Sequence, residues 1–101
     1  MMQKAVVFNV KDNVATALSD LKAGDIIELG VGDSTVTINL AADVPFGHKF
    51  SLTGIKADST VIKYGEVIGI ATLDISPGDY VHVHNVNSAR ARGDITGGRL
   101  S

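Results

Sequence analysis

Apolar positions along this chain fall into short blocks separated by Gly, Pro, Asn and Asp. Ala5-Val6-Val7-Phe8-Asn9-Val10 is short and β-branched, which predicts a strand. The next block changes period. Val14, Ala17, Leu18 and Leu21 stand at i, i+3, i+4 and i+7, one apolar face of a helix. Asp12 or Asn13 would cap that helix and Gly24 would end it. From there period-2 alternation and glycine corners dominate. Strands are predicted at Asp25–Leu29, Thr35–Leu40, Lys49–Leu52, Val61–Tyr64, Val67–Ala71 and Tyr80–Asn85, with turns at 30–34, 44–47 and 76–79. Tyr64-Gly65 reads as a turn and Gly69 as a close-packing position. A weak internal echo is visible: Leu21-Lys22-Ala23-Gly24-Asp25 and Ile75-Ser76-Pro77-Gly78-Asp79 both place Gly-Asp before a strand. The pattern predicts a mostly β domain with one short N-terminal helix over residues 1–88, followed by a polar tail over residues 89–101.

Composition narrows the function classes. The 101 residues make one domain by length. With no cysteine, disulfides, thiolate metal sites and thiol nucleophiles are excluded. A net charge of −2 argues against nucleic acid as a partner, and the Arg-containing tail has no aromatics interleaved for base stacking. No apolar run approaches the ~20 residues needed to span a bilayer, and the N-terminus carries no secretory pattern, so a cytoplasmic location without membrane contact is expected. Gly30-Val31-Gly32-Asp33-Ser34 lacks the Gly-Lys-Ser/Thr of a phosphate loop, and the glycines after residue 92 open no helix, so neither a phosphate loop nor a dinucleotide fingerprint is present. The tripeptide Arg92-Gly93-Asp94 is a chance match to an adhesion motif.

The candidate chemistry lies in few residues. His82 and His84 are two apart in a predicted strand, so both imidazoles share a face while Val81 and Val83 pack on the other. Two neutral imidazoles on one face can begin a metal or acid–base site; the simpler reading is a solvated strand face. His48 follows the Pro45-Phe46-Gly47 corner on a short lever, although a turn histidine needs no function. Lys49, next in sequence, points to the opposite face and need not share a site with it. Asp12 and Asn13 are first a helix cap, and secondly a pair that could hold a ligand at a helix start.

Several blocks in order carry a family resemblance: Asp12-Asn13-Val14-Ala15-Thr16-Ala17-Leu18, Leu21-Lys22-Ala23-Gly24-Asp25, Val44-Pro45-Phe46-Gly47-His48-Lys49-Phe50, Val61-Ile62-Lys63-Tyr64-Gly65, Ala71-Thr72-Leu73-Asp74-Ile75 and His82-Val83-His84-Asn85. The stretch from about Phe8 to Arg92 resembles the small N-terminal domain of altronate and galactarate dehydratases. The resemblance implies a SAF-type β-clip fold and a part in removing water from a sugar acid. In this family the domain is either fused to a large catalytic region or made as a separate small subunit. A chain ending at Ser101 after a polar tail looks like the separate form. The small subunit of sulfolactate sulfo-lyase, which releases sulfite, is a close cousin, and the His-x-His-Asn ending leans toward the altronate-like or sulfolactate-like branches. A divalent metal, Fe(II) or Mn(II), is implied as cofactor and a large catalytic subunit as partner.

Dehydrating a dihydroxy acid takes a base for the proton beside the carboxylate, an acid for the departing hydroxyl, and stabilisation of the enediolate. Three histidines and few clustered carboxylates are too little for the whole constellation. The expectation is therefore one wall of a site at a subunit interface. His48, His82 and His84 would be its catalytic residues, and Asp12, Asn13, Lys49 and Asn85 its substrate contacts. His82 and His84 are also its candidate metal ligands. A non-catalytic sugar-acid-binding module and a purely structural docking domain are the other readings.

Overall fold

The computed structural model describes residues 4–88, so the predicted tail at 89–101 lies outside the described residues. Nine short strands are described: β1 (Ala5–Val6), β2 (Val14–Ala17), β3 (Ile26–Val31), β4 (Ser34–Asn39), β5 (Lys49–Ser51), β6 (Thr60–Lys63), β7 (Glu66–Ala71), β8 (Tyr80–Val81) and β9 (Val86–Ser88). They form a central sheet β1-β2-β5-β8, a hairpin β3-β4 and a three-stranded sheet β6-β7-β9, with every pairing antiparallel.

The predicted helix is absent among the described residues. Its first half is β2, buried at all four positions. The i, i+3, i+4, i+7 pattern arose because consecutive residues here face two cores. Ala15 and Ala17 pack with Phe50, Ile27, Leu29, Ile38, Leu40 and Val44 in one cluster. Val14 packs with Ile55, Val61, Ile75 and Val81 in the other. A segment this short gains little as a helix, whereas between β1 and β5 it hydrogen-bonds on both edges and buries both faces. Asp12 and Asn13 cap no helix. The Asp12 carboxylate, itself buried, accepts from the amides of Phe8 and Asn9 at 3.2 Å and of Gly65 at 2.8 Å. Asn13 accepts from the Ile62 amide at 2.8 Å and donates to the Thr60 carbonyl at 3.0 Å, beside the register shift between Val61 and Ile62. Together they clasp the β6–β7 hairpin to the loop before β2.

The echo seen in the sequence is part of a larger regularity. Four turns, at residues 22–25, 45–48, 56–59 and 76–79, close with the fourth amide donating to the first carbonyl at 3.0 Å. Each has a positive φ at its third position: Gly24, Gly47, Asp58 and Gly78. Such a turn demands φ > 0 there, which glycine adopts freely and Asp tolerates. The residues that lead into the turns pair as bridges, Leu21 with Val44 and Ile55 with Ile75.

Side-chain carboxylates tie these corners together. Asp20 accepts from the Phe46 amide at 2.8 Å, Asp43 from Ala23 at 2.9 Å and Asp74 from Ala57 at 2.9 Å. The fourth equivalent amide does not exist, because residue 77 is proline; the residue that would face it is Gly54, with no carboxylate to offer. A second bond lies inside the corner. Asp25 accepts from Lys22 at 3.0 Å and Asp79 from Ser76 at 2.8 Å. In the 45–48 corner the donor position is Pro45, and the place of the Asp is taken by His48. Where the amide is missing the carboxylate is missing too, and His48 is released from holding its own turn.

Candidate functional site

Cross-strand partners share a sheet face, so the register of the central sheet decides what can meet. Ala15, Phe50 and Tyr80 lie in one row, and Thr16, Lys49 and Val81 in the neighbouring row on the opposite face. Tyr80 packs its body against the Phe50 cluster and reaches its hydroxyl to His48, with Oη 2.6 Å from Nδ1. His82 follows the end of β8. Its ring stacks on Tyr80 with centroids 5.5 Å apart and planes at 12°, and stands 4.9 Å from the His48 ring. His84 is exposed and touches the group only through Tyr80, at 5.6 Å.

The strand predicted over Tyr80–Asn85 ends at Val81, and residues 82–85 turn instead. Asn85 makes that turn. Its Oδ1 accepts from the His82 amide at 3.0 Å, its Nδ2 donates to the Tyr80 carbonyl at 2.8 Å, and its own amide donates to the His82 carbonyl at 3.1 Å. Asn85 is buried, so its role here is to fix the backbone that carries the histidines. The turn also overturns the packing expected of Val83, which is 79% exposed rather than placed under the sheet.

Lys49 sits on the other face, as alternation requires, yet the bend at His82 brings that ring to the sheet edge and lets it meet both neighbours. Lys49 and His82 line an open groove of about 200 Å³ between Ile68, Val81 and Val86. Tyr80 and His84 line a second groove, of about 290 Å³, on the side of Asp79. Lys49 is half-buried, and no ion pair joins it to a carboxylate among the described residues. Burial pushes its pKa down, and the positive charge of Lys63 adds to the effect. His82 is pushed below the ordinary imidazole value, first by desolvation and then by the charges of His48, Lys49 and His84.

A depressed pKa keeps His82 neutral at neutral pH, and its proton-accepting form is lost only as the pH falls through the lowered value. An NMR titration of the three histidines is expected to place His82 below an ordinary imidazole. Lys49→Met is expected to move it part of the way back up, since burial is the larger cause; a His82 at or above the ordinary value would contradict this.

The site expectations thus divide. His48, His82 and, more loosely, His84 come together, with Lys49 reaching the same edge. Asp12 and Asn13 have their side chains committed to backbone groups of the β6–β7 hairpin. Tyr80 was missed, although it stands in the same alternation as His82 and His84. For the implied divalent metal the donor set is short: no three His, Asp or Glu groups among the described residues converge on one point. One of the two His48 ring nitrogens is already taken by Tyr80. These residues do not make a metal site by themselves. No helix among the described residues is long and apolar enough to cross a membrane.

A small all-β domain built on repeated corners, with a His/Tyr cluster at one sheet edge, is the class these features define. The altronate/galactarate dehydratase SAF domain matches residues 3–89, and the chain belongs to that family. It is 51% identical over 77 residues to an altronate dehydratase of Escherichia coli, covering 76% of this chain but 15% of the relative. The altronate dehydratase of Bacillus subtilis is 36% identical over 87 residues, 86% of this chain and 17% of the relative. The chain therefore spans about one sixth of the length of these dehydratases. The (2R)-sulfolactate sulfo-lyase subunit alpha of Chromohalobacter salexigens is 34% identical over 88 residues, 84% of this chain and 94% of the relative.

Proposed function

We propose that this chain is the SAF portion of a carbon–oxygen lyase acting on a small sugar acid, and that its His48–Tyr80–His82 edge forms one wall of an active site completed by a larger catalytic chain. The observation that carries the reading is the convergence of two imidazoles, a phenol and a half-buried ammonium on one sheet edge. His82, neutral and next to open space, takes a proton. His48 supplies the complementary function, a hydrogen bond from its ring N–H to the departing oxygen. Lys49 offers an unpaired positive charge to the acid group of the substrate. An ammonium taken partly out of water without a partner is costly, and an anion relieves that cost. His84 closes the outer rim, and Asn85 holds the histidine turn. Asp12 and Asn13 serve as the hairpin clasp, without direct substrate contact in this reading. Any Fe(II) or Mn(II) would be held mainly by the larger chain, where it would stabilise the enediolate.

The match over nearly the full length of a sulfo-lyase subunit favours a second reading, in which this chain is a separate subunit and the group expelled is sulfite. A cytoplasmic location is part of both. One experiment separates them. The tagged chain is purified from its own cells together with its stoichiometric partner, and the complex is assayed for dehydration of altronate and galactarate and for sulfite release from sulfolactate. Dehydration supports the first reading and sulfite the second. A stoichiometric complex inactive on all three acids would leave only a docking role.

A further inference from the structure

The geometry points to Tyr80 as the positioning residue that sets the tautomer of His48: the phenol donates to Nδ1, so the neutral ring carries its proton on Nε2 and presents that N–H to the site. The inference takes its catalytic meaning from the function proposed above, but the tautomer itself does not depend on it. A neutral imidazole has one donor nitrogen and one acceptor nitrogen, so fixing one fixes the other. The Oη–Nδ1 separation of 2.6 Å is that of a strong hydrogen bond. A phenol is the better donor of the pair and an imidazole nitrogen the better acceptor.

Both partners are held in place. The Tyr80 backbone pairs with Phe50, its carbonyl accepts from Asn85 and its ring body lies against the Phe50 cluster. His48 stands where Asp25 and Asp79 stand in their own corners. Those carboxylates close onto the amides of Lys22 and Ser76. Pro45 offers no such amide, so the His48 side chain is free to turn to Tyr80. His82 meets Tyr80 by stacking at 12° and has no hydrogen bond to its hydroxyl, which leaves the two histidines inequivalent. His48 becomes a fixed hydrogen-bond donor and His82 the open acceptor, a division of roles imposed by one phenol.

The test begins with the whole chain, uniformly ¹⁵N-labelled, at a pH where the histidines are neutral. Long-range ¹H–¹⁵N correlations are expected to show His48 protonated on Nε2 with an unprotonated, hydrogen-bonded Nδ1. In Tyr80→Phe, which keeps the ring and its packing, the Nδ1 resonance is expected to move toward that of a free acceptor nitrogen. A wild-type His48 protonated on Nδ1 overturns the inference, as does an Nδ1 resonance that Tyr80→Phe leaves in place. The wild-type spectrum decides the question even if the variant fails to fold. In the active complex, loss of an orienting partner of this kind costs on the order of 10–100-fold in kcat, with KM little changed. If the tautomer is as stated but kcat does not move, the tautomer stands and the role proposed for His48 in the lyase reaction falls.

Discussion

His82→Ala, introduced into the assembled enzyme, is expected to lower kcat by roughly 10²–10⁴-fold, the range for losing a positioned proton-transfer group. The unfolding midpoint of the isolated chain should hardly change. The ring is half-buried and its contacts are faces of His48 and Tyr80 rather than core side chains. The turn that carries it is held by Asn85 through the His82 backbone, which alanine retains. His84→Ala provides the contrast. That ring is exposed and meets only Tyr80, so its loss should cost far less. Steady-state kinetics on both variants, with a denaturation curve for each, check the prediction. Equal losses at the two positions would remove His82 from the centre of the site.

Gly78→Ala should be among the most damaging single-methyl additions to the fold, and Gly24→Ala, at the equivalent corner, a mild one. Both glycines have positive φ, 87° and 91°, and both variants suffer the left-handed penalty of about 1–2 kcal/mol. Around Gly24 a Cβ meets nothing within 4 Å. At Gly78 it would lie 2.1 Å from the Asn39 carbonyl oxygen and 3.3 Å from the Ala41 amide. The backbone cannot retreat, because the Gly78 amide donates to Ser51 at 2.8 Å and its carbonyl accepts from Ala41 at 3.0 Å. Overpacking adds a further ~1–3 kcal/mol, so the total reaches about 2–5 kcal/mol. At ~4–8 °C per kcal/mol for a domain of this size, thermal unfolding should fall by ~8 °C or more. Urea denaturation of the two variants side by side makes the comparison, and similar losses would contradict it.

The strands were legible in the sequence where alternation and glycine corners coincided, as in Thr35–Leu40 and Val67–Ala71, which correspond to β4 and β7. The segment after Asp12 was misleading for a physical reason. A strand buried on both faces has no polar side, and its spacing can mimic one face of a helix. The repeated corner was half visible. Gly-Asp marked two of the turns, but Gly47-His48 and Asp58-Ser59 keep the backbone conformation while changing the residues that signal it. His48, His82 and His84 could be named from residue type alone, whereas their meeting needed the β5–β8 register and the Asn85 turn. Tyr80 was hidden because its site role depends on its hydroxyl reaching His48, just before β5, the strand beside β8 in the central sheet. Asp12, read first as a helix cap and secondly as a ligand contact, is the buried acceptor for three amides.

The proline at position 45 has a consequence beyond its turn. In the corners at 22–25 and 76–79 the fourth residue, Asp25 or Asp79, accepts from the first amide of its own turn, and changing it removes that bond. At position 48 that obligation is lifted, so the side chain there answers only to what lies outside the corner. In the function proposed above, foldability and reactivity are thereby uncoupled at a single address. Substitutions of His48 are expected to leave intact the scaffold that holds it there, so the same corner can be refitted for a different chemistry without being rebuilt.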